Sequence, residues 1–563
     1  MPRAAGAQVA AVPVRHPVYA WLRYQDVLGH VDGFDAGALP LYRTEIVAFL
    51  DQVGRFEPEL SGADRDLLRA FRQELSLEGL QASARESYVK GEGGVLERLK
   101  RLHTGAVEPR LYAEVGEGYA YAVDMWRTAF GQRDVWEGAD REHEGTRYDD
   151  RGIRAFATFG GHFGFHLEAG NVVGKNRLLA LDPVYGRTFE VLVQGKDNSL
   201  YTEAIASAMW KGLSADIGHG TLRFGRGEGA SILLGPESSM SDWVRLRAAS
   251  RRVEYTLTHA SLAAGSAPAR LAVGGDTLPT KYAPQRWMTV HRLALRPIDG
   301  LHLGFSQVLV TSRRDTKWEY LTPLAPLTAS SAEENGDNLL WGMEARARLF
   351  PGLSVWGGLV VDDFGDQGKG KAYDVGIQAG LPGGVEAEAR AVRVDPFLYT
   401  SPDTLDALQQ RGFVMGYPLG ANAEEVTLKV RKWLPHRSWI SIEAGRGRKG
   451  LDPLPGGGGA DGEAGQASAG IGQGGSFLFG PGAGRTGFLE NADVQEFNLI
   501  RVEAVGEPLR GVQLGVRFSR RSSAGGERWP DEDRSDVWLR IESPVLALLS
   551  FFHIPFLSSL PLI

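Results

Sequence analysis

Apolar and polar residues alternate in many short segments of the chain beyond about residue 115. In the segment GMEARARLF, Met343, Ala345 and Ala347 alternate with the charged residues Glu344 and Arg346. The segments RVEYTLTHASL, YDVGIQAGL, EVTLKVRK, GVQLGVRFS and DVWLRIES repeat the pattern. Successive side chains of a β-strand point to opposite faces of its sheet. The pattern therefore predicts strands that each have one apolar face and one polar face.

Two kinds of connection join these strands. Very short links that contain a proline occur around Pro297, Pro351, Pro382, Pro435 and Pro508. The returns between hairpins are long and span residues 312–337, 395–423, 448–492 and 522–534. A soluble all-β fold would also show the alternation. Short turns at one end with long loops at the other are typical of transmembrane β-barrels, and the sequence favours that fold.

We predict an all-β transmembrane barrel of about 18 antiparallel strands (about 16 to 18 by count), and an even number is expected for a single chain. The barrel is closed because no edge amide stays unpaired in lipid. It extends over residues 115–552, its last strand ends near Phe551 and Phe552, and residues 553–563 form an apolar extension. The tryptophans that suit membrane-interface girdles are Trp287, Trp356, Trp433, Trp439 and Trp538.

The first part of the chain has a helical period instead. Apolar residues recur at helical spacing in HPVYAWLRYQDVLGHV, in YRTEIVAFLDQVGRF with Thr44 as the predicted N-cap, and in SGADRDLLRAFRQEL. The segment GGVLERLKRLH predicts a fourth helix. We therefore expect a small α-helical bundle over residues 14–110, placed in the periplasm because it precedes the first strand. Residues 1–13 are expected to be a tail or the remnant of a signal peptide.

Composition removes several classes of function. The 563 residues include 62 basic and 69 acidic ones, and this balance gives no sign of a nucleic-acid partner. The chain has no cysteine, which excludes thiol catalysis and thiolate metal sites. Neither a Gly-x-Ser-x-Gly motif, a His-Glu-x-x-His motif nor a phosphate-binding Gly-Lys-Ser/Thr loop is present. We expect no enzymatic activity, no cofactor and no metal.

Several ordered segments resemble one family. They are HPVYAWLRYQDVLG, LPLYRTEIVAFL, LRFGRGEGASILLGPESSMSDWVRLR, HRLALRPIDGLHLGFSQVLV, KWEYLTPLAPL and GDNLLWGMEARARLFPGLSVWGGLVVDDF. Their order over about residues 14–365 resembles the Wzi-type capsule assembly family. The Gly-rich stretch at 454–485 and the terminal Ile563 depart from that pattern. The resemblance implies an outer-membrane barrel of about 18 strands with a periplasmic helical bundle, which acts as a lectin.

The function that the resemblance implies is the attachment of capsular or extracellular polysaccharide to the surface of a Gram-negative bacterium. The partners would be that polysaccharide and outer-membrane lipid, and the barrel would be a monomer. Two alternatives stay open. A porin or polysaccharide export channel is the first, because the polar strand faces would line a pore. An outer-membrane hydrolase is the second, for which His259 and Ser261 form a candidate pair on one strand face.

Polysaccharide-binding residues are predicted in the long returns. Carboxylates and amides hydrogen-bond to sugar hydroxyls, aromatic rings stack on the apolar side of a sugar, and repeated weak contacts along a polymer add as avidity. The candidates are Trp318, Glu319, Tyr320, Asp337, Asn338, Asp362 and Asp363. The alternative interpretation is that these residues fill the mouth of the barrel or cap its strands.

Overall fold

A closed barrel of 18 antiparallel strands forms the body of the protein, as the sequence predicts. Its structure, a computed structural model, describes residues 8–94, 97–98, 100–101, 107–137, 143–175, 198–225, 231–235, 240–262, 270–273, 276–279, 285–312, 318–322, 337–362, 370–396, 398–399, 406–410, 413–451, 489, 493–524 and 531–542.

The barrel strands are consecutive in the chain and each pairs with the next. They are β1 (Tyr119–Glu137), β2 (His143–Phe159), β3 (Phe163–Lys175), β4 (Asn198–Trp210), β5 (Leu213–Gly220), β6 (Ser241–Ala249), β7 (Val253–Leu262), β8 (Arg286–Leu295), β9 (Leu301–Ser312), β10 (Asn338–Phe350), β11 (Leu353–Asp362), β12 (Lys371–Leu381), β13 (Val385–Val394), β14 (Ala423–Leu434), β15 (Ser438–Leu451), β16 (Asp493–Leu509), β17 (Val512–Ala524) and β18 (Asp531–Ile541). Strand β18 pairs with β1 from Asp531 opposite Glu137 to Ile541 opposite Arg127, which closes the barrel.

The apolar face of each strand points outward. On β10 the Met343 side chain is 49% exposed, whereas Arg346 is 4% exposed. On β6 the exposed residues Val244 and Leu246 flank Arg245, which is buried. A soluble barrel would bury the apolar set. An apolar exterior around a polar interior is what a barrel in lipid requires.

The short turns lie at one end of the barrel. The turn between β10 and β11 contains Pro351 and Gly352, and Gly352 has a φ of 96°, which favours glycine. The prediction is wrong in detail at Pro508, which lies within β16 and not in the turn. The register of β16 shifts between Gly506 and Leu509, because a bulge accommodates a proline that lacks the N–H group.

Four helices with fully described bounds precede the barrel: α1 (Pro17–Leu28), α2 (Arg43–Gly54), α3 (Gly62–Leu75) and α4 (Leu77–Glu86). None of the helices within the described ranges is long and apolar enough to span a membrane. The sequence reasoning missed α4, although Ser76 caps it by accepting a hydrogen bond from the Gly79 N–H at 3.0 Å. The predicted helix in GGVLERLKRLH falls partly outside the described residues.

Two end predictions need correction. Thr44 is not the N-cap of α2, because Tyr42 takes that position and its N–H donates to Glu45 at 3.1 Å. The last barrel strand ends at Ile541 and not near Phe551 and Phe552, and residues 543–563 lie outside the described ranges.

Residues 8–13, the described part of the segment predicted as a tail or signal remnant, are packed against the rest of the protein. Val9 and Ala10 are fully buried, and the Arg43 N–H donates to the Ala10 carbonyl at 2.9 Å. A side chain at Gly164 of β3 would place its Cβ 2.4 Å from the Ala10 nitrogen, so the close approach requires glycine. The segment therefore lies against the inner face of the barrel wall.

The helices pack against the short-turn end. Their apolar core, with Trp21, Leu67 and Phe71, also contains Trp433 from β14. The Tyr24 hydroxyl donates to the Leu381 carbonyl of β12 at 2.9 Å. The helical module, which we define as α1 to α4, therefore covers the end of the barrel that has the short turns.

Candidate functional site

An apolar insertion fills one side of the barrel lumen. This lumen plug consists of residues 222–225, 231–235, 398–399, 406–410 and 413–421. Its side chains Phe224, Leu233 and Leu408 join one buried cluster with Val308 of β9 and Val392 of β13. The wall along these strands is therefore covered from inside.

A second segment, residues 30–42, enters the lumen from the helical module and is held by buried charges. Asp35 lies 3.0 Å from Arg292 of β8. The Tyr42 hydroxyl donates to Asp216 of β5 at 2.8 Å, and Arg245 of β6 donates to the same carboxylate at 2.8 Å. Buried charges need such partners, since each ion loses its hydration. We call residues 30–42 the inner segment.

The opposite side of the lumen is lined by ion pairs. Arg501 of β16 lies 3.0 Å from Glu443 of β15, and Arg517 of β17 lies 2.7 Å from Glu503 of β16. The chain neighbours of Arg501 and Arg517 are apolar residues of the outer face, so both arginines point into the lumen. Their side chains are nevertheless 42% and 24% exposed. This part of the lumen therefore holds solvent.

These lumenal ion pairs suit an exchangeable polar ligand. The Arg501–Glu443 pair is partly exposed and contributes roughly 0–1 kcal/mol, so a ligand would replace it at small cost, whereas the Arg517–Glu503 pair is more deeply buried. Guanidinium groups bind carboxylates in a bidentate manner, and carboxylates accept hydrogen bonds from hydroxyls. The sequence reasoning missed Glu443, Arg501, Glu503 and Arg517 as site residues. These residues occupy polar positions of the alternating strands. The sequence pattern assigns all such positions to the lumen but does not show which part of the lumen is free to bind a ligand.

Two of the predicted binding residues form a buried pair outside the barrel wall. The Tyr320 hydroxyl donates to Asp337 at 2.6 Å, and Tyr320 packs on Leu309 and Leu339. Those two leucines alternate with lumen-facing residues, so they belong to the outer face of the wall. The backbone of Trp318–Leu321 forms a 3-10 helix at this place.

Two other predicted residues face the lumen. Asn338 is fully buried and donates from Nδ2 to the Asp406 carbonyl of the lumen plug at 2.8 Å. Asp362 is buried at the end of β11, where its N–H donates to the Gly370 carbonyl at 3.0 Å. Asp363 lies outside the described residues, as do the side chains of Trp318 and Glu319. The predicted set is thus divided between the two faces of the wall, and its role in binding stays a prediction.

The candidate hydrolase pair also lies on the outer face. The His259 ring stacks on Trp287 with 5.1 Å between centroids, and its Nδ1 atom lies 3.0 Å from the Thr289 hydroxyl. Ser261 follows on the same face of β7. The pair is therefore remote from the lumenal ion pairs.

A charged cluster links the helical module to the short turns. Arg437, in the turn between β14 and β15, contacts Glu507 at 2.6 Å, Glu74 at 2.7 Å and Glu108 at 3.2 Å. Burial raises the pKa of Glu108 to about 7, against the opposing effect of Arg437. Burial opposes ionisation of Glu74, but its interactions with His16 and Arg437 outweigh that effect and hold its pKa well below the ordinary value. We call Arg437 and these three carboxylates the latch.

A closed barrel of this size with an apolar outer face is the fold of outer-membrane β-barrels. Among solved structures, the chain is similar to Wzi of Escherichia coli, an outer-membrane protein involved in group 1 capsule assembly and described as a carbohydrate-binding β-barrel. The TM-score is 0.57 at 13% identity, over 95% of this chain and 99% of that one. At this identity the likeness concerns the fold alone.

Two Pseudomonas aeruginosa barrels show a weaker likeness. OpdQ matches with a TM-score of 0.41 at 9% identity, over 75% of this chain and 97% of that one. OpdL matches with a TM-score of 0.42 at 12% identity, over 75% of this chain and 98% of that one. No protein-family model and no curated protein sequence matches the chain.

Proposed function

We propose that this protein binds polysaccharide at the surface of a Gram-negative bacterium and retains it there, without chemistry. The observation that carries the proposal is the filled lumen: the inner segment and the lumen plug both occupy a barrel whose short-turn end the helical module covers. A wide open lumen would serve transport. A filled lumen suits a barrel that holds binding residues in fixed positions.

The solvated ion pairs are the first candidate contacts for the polymer. Arg501 and Arg517 suit the carboxylates of acidic sugars, whereas Glu443 and Glu503 accept hydrogen bonds from hydroxyls. The long return that carries Trp318, Glu319, Tyr320, Asp337 and Asn338, with Asp362 and Asp363 at the next strand end, is the second candidate. In that return the buried Tyr320–Asp337 hydrogen bond would hold the 3-10 helix in position for binding.

A porin or export channel is the second candidate function. The solvated side of the lumen favours it, because inward charged residues line the water-filled pores of such barrels. The two functions differ in one measurable respect. A retention protein keeps polymer on the cell, whereas an exporter is needed for polymer to reach the outside.

The experiment compares polymer on cells with polymer in the medium. Deletion of the gene is expected to leave synthesis unchanged and to release polymer into the medium, because a lectin supplies retention alone. The lumenal variant with Arg501→Gln and Arg517→Gln should reproduce the release. The fourfold variant with Trp318, Tyr320, Asp337 and Asp362 replaced by alanine tests the second candidate region in the same way.

The matched control changes two arginines on the outer face of β15. Arg446 pairs with Glu496 at 2.9 Å across neighbouring strands, as the lumenal arginines do with their glutamates, and Arg448 pairs with Glu424. The variant with Arg446→Gln and Arg448→Gln should retain polymer like the unmodified protein. Loss of extracellular polymer in the deletion strain would instead support export.

A further inference from the structure

A basic groove lies at the short-turn end, between the helical module and the barrel. Helix α2 contributes Phe49 and, at its C-cap, Arg55. The turn after β6 contributes Arg251 and Arg252, and the turn after β8 contributes Arg296 and Ile298. The open groove has a volume of about 440 Å³. It is separate from the lumenal ion pairs and from the latch.

The charges of the groove favour an anion. Four arginines line it against two carboxylates, those of Asp32 and Asp299. Asp32 lies 3.2 Å from Arg348, a residue that does not line the groove. Asp299 lies 3.9 Å from Arg251, and both side chains are largely exposed, so the attraction between these two charges is weak. Arg296 also lies 3.8 Å from the buried Glu254, so the excess of positive charge in the groove rests on Arg55, Arg251 and Arg252.

Guanidinium groups bind phosphate with two parallel hydrogen bonds, which makes arginine the usual residue for phosphate recognition. Arg296 is already fixed, because it donates to the Gly33 carbonyl at 2.7 Å. Arg251 is 82% exposed at the tip of its turn, and Arg55 is exposed at the C-cap of α2. Because these guanidinium groups are exposed, they lose few contacts with the protein when they bind an anion.

The groove also has an apolar border that continues into the outer face of the barrel. Ile298 is 63% exposed at the tip of the turn after β8. The outward residue Val253 begins β7 beside it, and Phe350 ends β10 with more than half of its surface exposed. Anionic groups and hydrocarbon chains meet at the surface of a bilayer. A ligand with an anionic head and acyl chains fits both parts of the groove.

We infer that this groove binds the phosphate of an anionic phospholipid in the leaflet at the short-turn end. The lipid would contact α2 and two barrel turns at once, so it would hold the helical module against the barrel. The inference does not depend on polysaccharide binding, and either proposal can fail alone.

The test measures lipid binding to the full chain in detergent by native mass spectrometry. Phosphatidylglycerol and phosphatidylcholine with the same acyl chains are added separately. The unmodified protein is expected to retain phosphatidylglycerol in preference to phosphatidylcholine. The variant with Arg55→Gln, Arg251→Gln and Arg252→Gln should weaken the binding of phosphatidylglycerol by about tenfold or more.

The matched control removes three exposed arginines of the helical module that do not line the groove, with Arg65→Gln, Arg69→Gln and Arg85→Gln. It should bind phosphatidylglycerol like the unmodified protein. Equal loss in both triple variants, or no preference over phosphatidylcholine, would overturn the inference. Displacement of the lipid by hexaglutamate at lower concentration would assign the groove to an acidic protein segment instead. If the triple variant does not fold, Arg251→Gln alone serves the same comparison.

Discussion

Arg437 shows how one residue joins two parts of the molecule. It belongs to a barrel turn, and its guanidinium contacts Glu74 of α3, Glu108 of the following linker and Glu507 of β16. Three carboxylates around one cation repel each other, and burial adds to the cost of ionising Glu108. The latch therefore holds the helical module most firmly when Glu108 carries a proton.

The latch makes the docking of the helical module dependent on pH. The pKa of Glu108 rises from about 4.5 in water to about 7 in the latch, so the docked state binds more protons between these values. Its stability then falls as the pH rises from about 4.5 to about 7. Replacing Glu108 by glutamine, which imitates the protonated acid, should remove this loss. The thermal midpoint of the helical module, followed in detergent across this pH range, measures both effects.

A control and a contradicting result follow from the neighbouring groups. Glu108 faces Arg437, Glu74, Arg110 and Glu507. Because the pKa of Glu74 is lowered, this residue makes the docked state less stable as the pH falls below the ordinary pKa of a glutamate. That change lies outside the pH range in which Glu108 acts. Glu78→Gln, at an exposed position of α4, should keep the pH dependence of the unmodified protein. A Glu108→Gln variant with the same dependence would show that Glu108 is not its source.

Residue roles were the least predictable part of the molecule from sequence. Tyr320 and Asp337 were predicted from their polarity and loop position, and both are buried against each other. Polarity along the chain does not reveal which face of the barrel a long return covers. Arg501 and Arg517 were missed for a related reason, since all inward charges look alike until the filled side of the lumen is known.

At the scale of elements, the alternation predicted the hairpins well because the two faces of a membrane barrel differ in solvent. The segments inside the lumen were not predictable in this way. The stretch ILLG at 232–235 is apolar without alternation, and it becomes buried only because the wall of β9 to β13 surrounds it. The packing of residues 8–13 was not predictable for the same reason, since these residues have no helical or strand period of their own.

The lumen plug leads to a prediction about this element. Replacing residues 222–235 by a short Gly-Ser linker between β5 and β6 should leave the barrel folded, because its strands pair without that segment. Removal of Phe224, Leu233 and their neighbours should open the lumen and raise the conductance in planar bilayers. A variant with the linker inserted in the turn between β4 and β5 serves as the control. Unchanged conductance in the plug variant would mean that this insertion does not limit passage.

At the scale of the whole molecule, the distribution of polar and apolar residues follows from the different surroundings of the two faces of the barrel. Apolar residues cover the outside of the closed barrel, and the inside combines a polar, charged side with an apolar side that packs against the lumen plug. Charged residues that are buried need partners: the inner segment supplies Asp35 to Arg292 in the lumen, and Arg437 of a short turn pairs with Glu74 of the helical module. The fold class and its 18 strands follow from the sequence pattern, whereas the filling of the lumen depends on contacts between distant segments.

The most direct test of the account is the binding of the purified, folded barrel to the surface polysaccharide of its own cells, measured by titration calorimetry. We expect saturable binding that the Arg501→Gln, Arg517→Gln variant weakens and that the outer-face control with Arg446→Gln and Arg448→Gln retains. Absence of binding by a barrel that still shows heat-modifiable migration, together with a high conductance in planar bilayers, would contradict the account.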